Sequence, residues 1–523
     1  MTTSDPRRWW ALIAMVPAVL VVGIDSTVLG LALPTLSTSL HASTSELQWF
    51  VAAYMLVFAA AMVPAGMLGD RYGRKKLLLI ALVILGFGSL ACAYATSSST
   101  FLAARVVLGL GAAIVLPTAI AAITVLFSDE ERPKAVATIM AAMMIGQPIG
   151  PLLGGWLLST FWWGSVFLIN VPVVVIALVA VATLVPESRG RRDTRLDPLG
   201  IVTSSAGLAA LTYGVIKAGE TTWGDTTALT AMGAGAAILT AFVLWERRVR
   251  DPLIDLRLFR EPGFTWGTAL ATLVSFAMTG VMFAMPLYFQ EVLGMSAFAN
   301  GVRQLPMIAG LLVGTVLITK LAARVGDKLA LALGTGILAC GLIVGGTTGM
   351  TSGGGFAMAW LAVCGLGLGF ALPTAMNAAL GALSAEHSGV GSGLITALRM
   401  VGGAFGAAIL GSVLNAAYRS RLDVSALPTQ VGAAVSDSVA AGVAVAYKLG
   451  SAALLSSVRT AFVHGLDVAL LVCGGVAVVG VVLALAFMPR RAQAADAAAL
   501  PPADLPPSEA EGVESGHGVV IAK

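Results

Sequence analysis

The stretch GLGAAIVLPTA at 109–119 returns as GLGLGFALPTA at 365–375, and the same offset carries Gly146 onto Gly402 and Gly150 onto Gly406. A register that survives through two successive apolar segments is the mark of an internal duplication. Both copies enter their segments in the same direction, so the repeat is parallel, as in two bundles related about the membrane normal.

Composition says what those bundles are dissolved in. Of 523 residues, 58% are hydrophobic and 11% charged, and the mean hydropathy is +0.91, so the chain needs lipid as its solvent. A window of about 19 residues gives fourteen candidate helices, near 9–33, 46–69, 77–96, 101–127, 134–158, 163–185, 197–217, 226–246, 264–292, 302–323, 328–348, 354–382, 388–415 and 464–488. Each is long enough to cross a bilayer at about 1.5 Å per residue. The basic clusters are Arg71, Arg74, Lys75 and Lys76; Arg189, Arg191, Arg192 and Arg195; and Arg247, Arg248, Arg250, Arg257 and Arg260. All three fall inside when the amino terminus is placed inside, as the positive-inside rule demands. Both termini are therefore expected in the cytoplasm and the protein in the inner (plasma) membrane. The run after Arg7 and Arg8 is too long for the apolar core of a signal peptide and reads as a retained first helix.

Six helices precede residue 190 and six follow 262, which predicts an all-α polytopic fold of two six-helix bundles plus an inserted hairpin. The expected organisation is a first bundle at 1–196, an inserted helix pair and cytoplasmic linker at 197–261, a second bundle at 262–488 and a disordered cytoplasmic tail at 489–523. Within 416–463, the segment Gly432–Leu449 is just long enough to cross. It carries Asp437 and serines, however, and a crossing there would put Arg490 and Arg491 outside, so an external loop with short amphipathic helices is expected. Four scattered cysteines, Cys92, Cys340, Cys364 and Cys473, suit neither a disulfide framework nor a zinc site.

Asp25 is a carboxylate inside the apolar run Trp9 to Leu33, with no obvious basic partner nearby in sequence. An ionisable group at membrane depth costs roughly 2.5–3.5 kcal/mol on insertion scales and usually faces an aqueous path or a bound ion. The alternative is a structural hydrogen bond to a neighbouring helix.

The loop GMLGDRYGRKK at 66–76 resembles the signature G-x-L-x-D-R-x-G-R-[KR]-[KR] of the major facilitator superfamily. Small Gly66 and Gly69 suit close helix packing, Gly73 a tight turn, and Asp70 can pair with an arginine or cap a helix of its bundle. The resemblance implies a cytoplasmic gate made of Gly66, Asp70, Arg71, Gly73 and Arg74. A weaker copy lies at 320–328, where Ala323 replaces the acid. In helix 5, GQPIGPLLGG at 146–155 is similar to the antiporter motif G-x-x-x-G-P-x-x-G-G of the superfamily's exporters, implying export through Gly146, Gly150, Pro151, Gly154 and Gly155. Arg105, in RVVLGLG, resembles the R-x-x-x-G-x-G element assigned a role in proton transfer; snorkelling to the external interface is the alternative.

IDSTVLGLALP at 24–34 and PLYFQEVLG at 286–294 narrow the resemblance to the fourteen-helix drug/proton antiporter branch, over about residues 10–490. Arg399 resembles that branch's helix-13 arginine and reads as a structural charge tied to backbone carbonyls. The long loop before helix 14 looks most like that of pumps for quaternary ammonium compounds. Such pumps often hold further membrane carboxylates, and helices 10 to 13 have none inside, which leaves Glu291 as the other candidate.

No G-x-x-x-x-G-K-[ST] loop is present, so ion gradients rather than ATP are the expected energy source and no cofactor is called for. The expected function is a proton-coupled multidrug antiporter that exports lipophilic cations, with Asp25 holding either a proton or the drug. Tyr54, Tyr288, Phe289 and Glu291 are possible cavity residues, although aromatic packing or interfacial anchoring explains the rings equally well. The runner-up is export of a specific neutral or anionic antibiotic or metabolite, with Asp25 serving proton coupling alone. The expected partners are lipophilic small molecules, protons and the bilayer, with no nucleic acid, and the protein is expected to be a monomer. His41, His387, His464 and His517 lie in loops, helix ends or the tail, without a nucleophile beside them, so no enzyme is expected.

Overall fold

The computed structural model describes residues 7–128, 130–189, 197–249, 252–350, 352–383, 388–425 and 427–489. The tail beyond 489 and, among the basic residues, Arg191, Arg192, Arg195, Arg250, Arg490 and Arg491 lie outside them, as do His387 and His517. Among the described residues, fourteen helices are long and apolar enough to span a membrane. They are α1 Arg8–Ser39, α2 Thr44–Tyr72, α3 Arg74–Ala93, α4 Ser98–Leu126, α5 Lys134–Thr160, α6 Ser165–Leu184, α7 Pro198–Glu220, α8 Thr226–Glu246, α9 Pro262–Val292, α10 Ala297–Ala322, α11 Arg324–Gly345, α12 Gly353–Gly381, α13 Gly391–Arg421 and α14 Ala452–Phe487.

Local chemistry starts several of these helices. Ser43 and Glu46 form a reciprocal capping box at α2, with the Ser43 N–H donating to Glu46 Oε2 at 2.8 Å. Asp197, Asp225 and Ser296 cap α7, α8 and α10 through their side-chain oxygens. The loop before α14 is shorter than the expected 416–463. Helix α13 runs on to Arg421, α14 begins at Ala452, and only two short helices, Thr429–Asp437 and Val439–Lys448, lie between. Ser451 caps the early start of α14, and Arg459 Nε donates to the Glu291 carbonyl at 3.1 Å. Tertiary contact thus carries the helix through a stretch whose serines, Arg459 and Thr460 lower its averaged hydropathy.

The duplication is visible in the packing. A Cβ on Gly109 of α4 would lie 2.8 Å from the Tyr54 carbonyl of α2, and one on Gly365 of α12 would collide with the Met307 carbonyl of α10. Gly146 and Gly150 of α5 press on the Leu20 and Ile24 carbonyls of α1, while Gly402 and Gly406 of α13 press on those of Thr272 and Phe276 in α9. The breaks match as well, since Gly73, between α2 and α3, and Gly326, in the first turn of α11, both take positive φ, 114° and 80°. Asp25, Tyr54 and Arg105 therefore correspond to Ala277, Met307 and Leu361. The second half keeps the packing of the first and none of its charges there.

At one end the halves close on each other. Pro151 and Gly155 of α5 meet Gly301 and Ala297 of α10, Ser37 and Ser438 share a hydrogen bond of 2.8 Å, and Gln290 Nε2 donates to the Leu31 carbonyl at 3.0 Å. The inserted helix α7 lies against α2 and α13, with Asn415 Nδ2 donating to the Gly219 carbonyl at 3.2 Å.

Gly109→Val should lower thermal stability of the purified protein by about 1–3 kcal/mol, the usual cost of overpacking. Gly233→Val, where a Cβ meets nothing within 4 Å, should leave it unchanged. Equal melting temperatures for the two variants would contradict this packing.

Candidate transport site

Two helices bring opposite charges together inside the first bundle. Asp25 of α1 is 3% exposed and Arg105 of α4 is 2% exposed. Arg105 Nη1 donates to Asp25 Oδ2 at 3.0 Å and its Nε to the Phe50 carbonyl at 3.1 Å, while the guanidinium carbon lies 4.3 Å from the centre of the Tyr54 ring. Carboxylate, carbonyl and ring together replace the water that a guanidinium has lost. Asp25 Oδ1 accepts from no described protein group. Snorkelling of Arg105 does not occur, because its side chain turns into the bundle toward Asp25. The partner that Asp25 lacked in sequence stands 80 positions away.

Beside this pair lies a cavity of about 700 Å³. Tyr54, Arg105, Ser26, Thr27 and Gly30 form part of its wall, and Gly66, Asp70 and Arg74 line it at the end carrying the α2–α3 turn. From the second half come Ser275, Thr279, Phe283 and Arg399. Nine methionines line it: Met55, Met62, Met67, Met140, Met143, Met278, Met282, Met376 and Met400. Unbranched, polarisable thioethers repack around ligands of different shape, so the wall is adaptable.

Asp25 itself is not on that wall. It stands behind Arg105, so a ligand meets the guanidinium before the carboxylate. Tyr54 lines the cavity as expected, but Tyr288, Phe289 and Glu291 do not. Tyr288 and Phe289 are fully buried in packing at the closed end, where the Tyr288 hydroxyl donates to the Gly349 carbonyl at 3.3 Å. Glu291 sits there too, its carbonyl taken by Arg459.

At the loop 66–76, Arg74 grips Asp70 through Nε at 2.9 Å and Nη2 at 2.7 Å. Arg71 is exposed, its guanidinium carbon 5.5 Å from the centre of the Tyr72 ring. Gly66 does not serve close packing, since a Cβ there would meet nothing within 4 Å and the residue faces the cavity. Sequence reading missed Glu187, which accepts from the Lys75 and Lys76 N–H groups at 3.1 and 3.2 Å and so caps the start of α3. It also missed Asp467, a half-buried carboxylate on α14 that borders a second cavity of about 550 Å³ with His464 and Arg421. An acid three residues after His464, inside the last apolar run, was the available signal.

The segment 146–155 has two tasks. Gly146, Gly150 and Gly154 seat α5 on α1, the helix that carries Asp25, while Gly155 seals against α10 with a would-be Cβ 2.9 Å from the Ala297 carbonyl. Pro151 cannot donate to the Gln147 carbonyl, and Thr27 Oγ1 of α1 takes that acceptor at 3.1 Å. Arg399 of α13 donates to Ser275 Oγ at 3.1 Å and contacts Met376 Sδ at 3.6 Å, rather than backbone carbonyls.

Residues 15–407 match the family described as Major Facilitator Superfamily. The chain belongs to that superfamily. It is a multi-pass membrane transporter, not an enzyme. A Tetracenomycin C resistance and export protein from Streptomyces glaucescens is 31% identical over 92% of this chain and 91% of its own length. The Multidrug efflux pump LfrA from Mycolicibacterium smegmatis is 32% identical over 92% and 97%. Methyl viologen resistance protein SmvA from Salmonella typhimurium is 32% identical over 93% and 100%. Among solved folds, a bacterial homologue of the human lysosomal transporter Spinster, inward-facing and unoccupied, superposes with a TM-score of 0.68 at 17% identity, covering 92% of this chain and 97% of its own.

Removing one member of a buried ion pair typically costs about 3–5 kcal/mol. Asp25→Leu and Arg105→Leu should each lower thermal stability strongly, and the double variant should recover much of the loss. A double variant whose loss equals the sum of the two singles would rule out their coupling. Gly155→Leu should prise α5 from α10 and narrow the cavity at Gly66, so a cysteine placed at 66 should react more slowly with a water-soluble maleimide. Unchanged labelling would contradict the seal.

Proposed function

We propose that this transporter is a proton-coupled exporter of lipophilic, drug-like compounds that works by alternating access, with the Asp25–Arg105 pair as its proton switch. The observation that carries the reading is a desolvated carboxylate–guanidinium pair, present in one half only, on the edge of a methionine-lined cavity. The names of the relatives, which include export and multidrug efflux, support the direction and the class of cargo.

A proton on Asp25 removes the charge that holds Arg105, which then keeps only the Phe50 carbonyl and the Tyr54 ring. Helix α1 is free to shift against α4, and through the glycines of α5 that shift reaches the seal at α10. In this reading the amino terminus lies inside, the cavity faces the cytoplasm, and the 66–76 loop is the cytoplasmic gate. Each unit of pH gradient supplies about 1.4 kcal/mol per proton, and each 100 mV about 2.3 kcal/mol per charge moved. Direct competition of a cationic drug for Asp25 loses its support, because Arg105 stands between the carboxylate and the cavity.

In energised inverted vesicles, uptake of lipophilic dyes and antibiotics should follow the proton gradient. Asp25→Asn should cut gradient-driven uptake at least about tenfold, equivalent to about 1.4 kcal/mol. Uptake that persists undiminished in that variant excludes Asp25 as the coupling group.

A further inference from the structure

Asp70, the carboxylate on the wall of the main cavity, already has an arginine in Arg74, and Asp25, behind the wall, has Arg105. Arg399 is left over. It lines the cavity, and no carboxylate among the described residues lies within ion-pair distance of it. Its protein contacts are neutral, a serine hydroxyl at Nε and a thioether at Nη1, while Nη2 donates to no described protein atom.

The duplication shows that the fold does not require a charge at this place. The offset that superimposes Gly146 on Gly402 and Gly150 on Gly406 sets Arg399 opposite Met143, which lines the same cavity from the first half. One copy of the position is therefore filled by an apolar side chain, and the other by a cation facing the cargo space. Walls of methionine and aliphatic side chains keep the dielectric low, so an unneutralised guanidinium there attracts anions strongly and repels cations. Guanidinium also matches oxyanions in geometry better than it matches any other common ligand group.

We infer that Arg399 is the docking point for an oxyanion on the cargo, and that the preferred substrates are lipophilic organic anions, an apolar aromatic body bearing a carboxylate, phenolate or sulfonate. This rests on the exporter reading above and adds to it the charge of the cargo. The apolar body would lie among Met143, Met278, Met282 and Met400, with the oxyanion turned to α13.

Fluorescein and rhodamine 123 share a xanthene skeleton and carry opposite charge, which makes them matched probes. Their binding to the purified full-length protein in lipid nanodiscs, at mildly alkaline pH, should favour fluorescein by at least about tenfold in the wild type, the scale of one charge-assisted hydrogen bond. Arg399→Met, which copies the first half's Met143, should erase the preference, and Arg399→Lys should keep most of it. A wild type that favours rhodamine 123, binds neither dye, or shows a preference that survives in Arg399→Met overturns the inference. If Arg399→Met does not fold, the wild-type comparison and Arg399→Lys decide. Transport in energised inverted vesicles separates the two readings. Uptake of rhodamine 123 without fluorescein sinks the anion preference alone, whereas dye binding without any gradient-driven uptake sinks the exporter reading and leaves the docking site standing.

Discussion

A carboxylate and a guanidinium 3.0 Å apart, both withdrawn from water, set the terms for the rest of this transporter. Neither charge is tolerable alone at that depth, so each fixes the position of the helix that carries the other. The pair ties α1 to α4, Arg105 reaches across to the backbone of α2, and Tyr54 of α2 covers the guanidinium. Three helices of the first bundle thereby meet at one ion pair. The second bundle has Ala277, Met307 and Leu361 in the matching places, so it has the same frame without the ion pair.

The glycines of α5 tie the helix that carries Asp25 to the other half. They pack α5 on α1 and, one turn on, close it against α10 of the other half. At Gly146 and Gly155 the contacts are backbone on backbone, and at Gly150 and Gly154 the side chains of Thr27 and Val28 fill the space, so α5 is packed tightly on both neighbours. Between the halves lies the methionine-lined space, closed at the α5–α10 end and bordered at the other by the Asp70–Arg74 bridge.

The fold was largely legible in the sequence because hydropathy and the 256-residue register are local or periodic signals. The ends of α13 and α14 were not, since a helical stretch such as Ala452–His464, with its serines and Arg459, is stabilised by what it touches. The candidate site was legible in part. Asp25, Arg105, Tyr54 and the segment 146–155 announced themselves through cost or motif. Their mutual arrangement did not, because a partner 80 residues away is fixed only by packing. Tyr288 and Phe289 misled for the opposite reason, as an aromatic ring reads the same in a binding wall and in a packed helix end. Glu187 and Asp467 were visible as acids in unusual settings, but only the folded chain shows what they face.

The most direct test follows the proton itself. Infrared difference spectra of the wild type, recorded on acidification while a cysteine at position 66 reports access to the cavity, should show a protonated carboxyl band that is absent in Asp25→Asn. Band and labelling rate should change together. A carboxyl band that survives in Asp25→Asn, or cavity access that responds to acidification in that variant as it does in the wild type, would contradict the assignment of Asp25 as the proton switch.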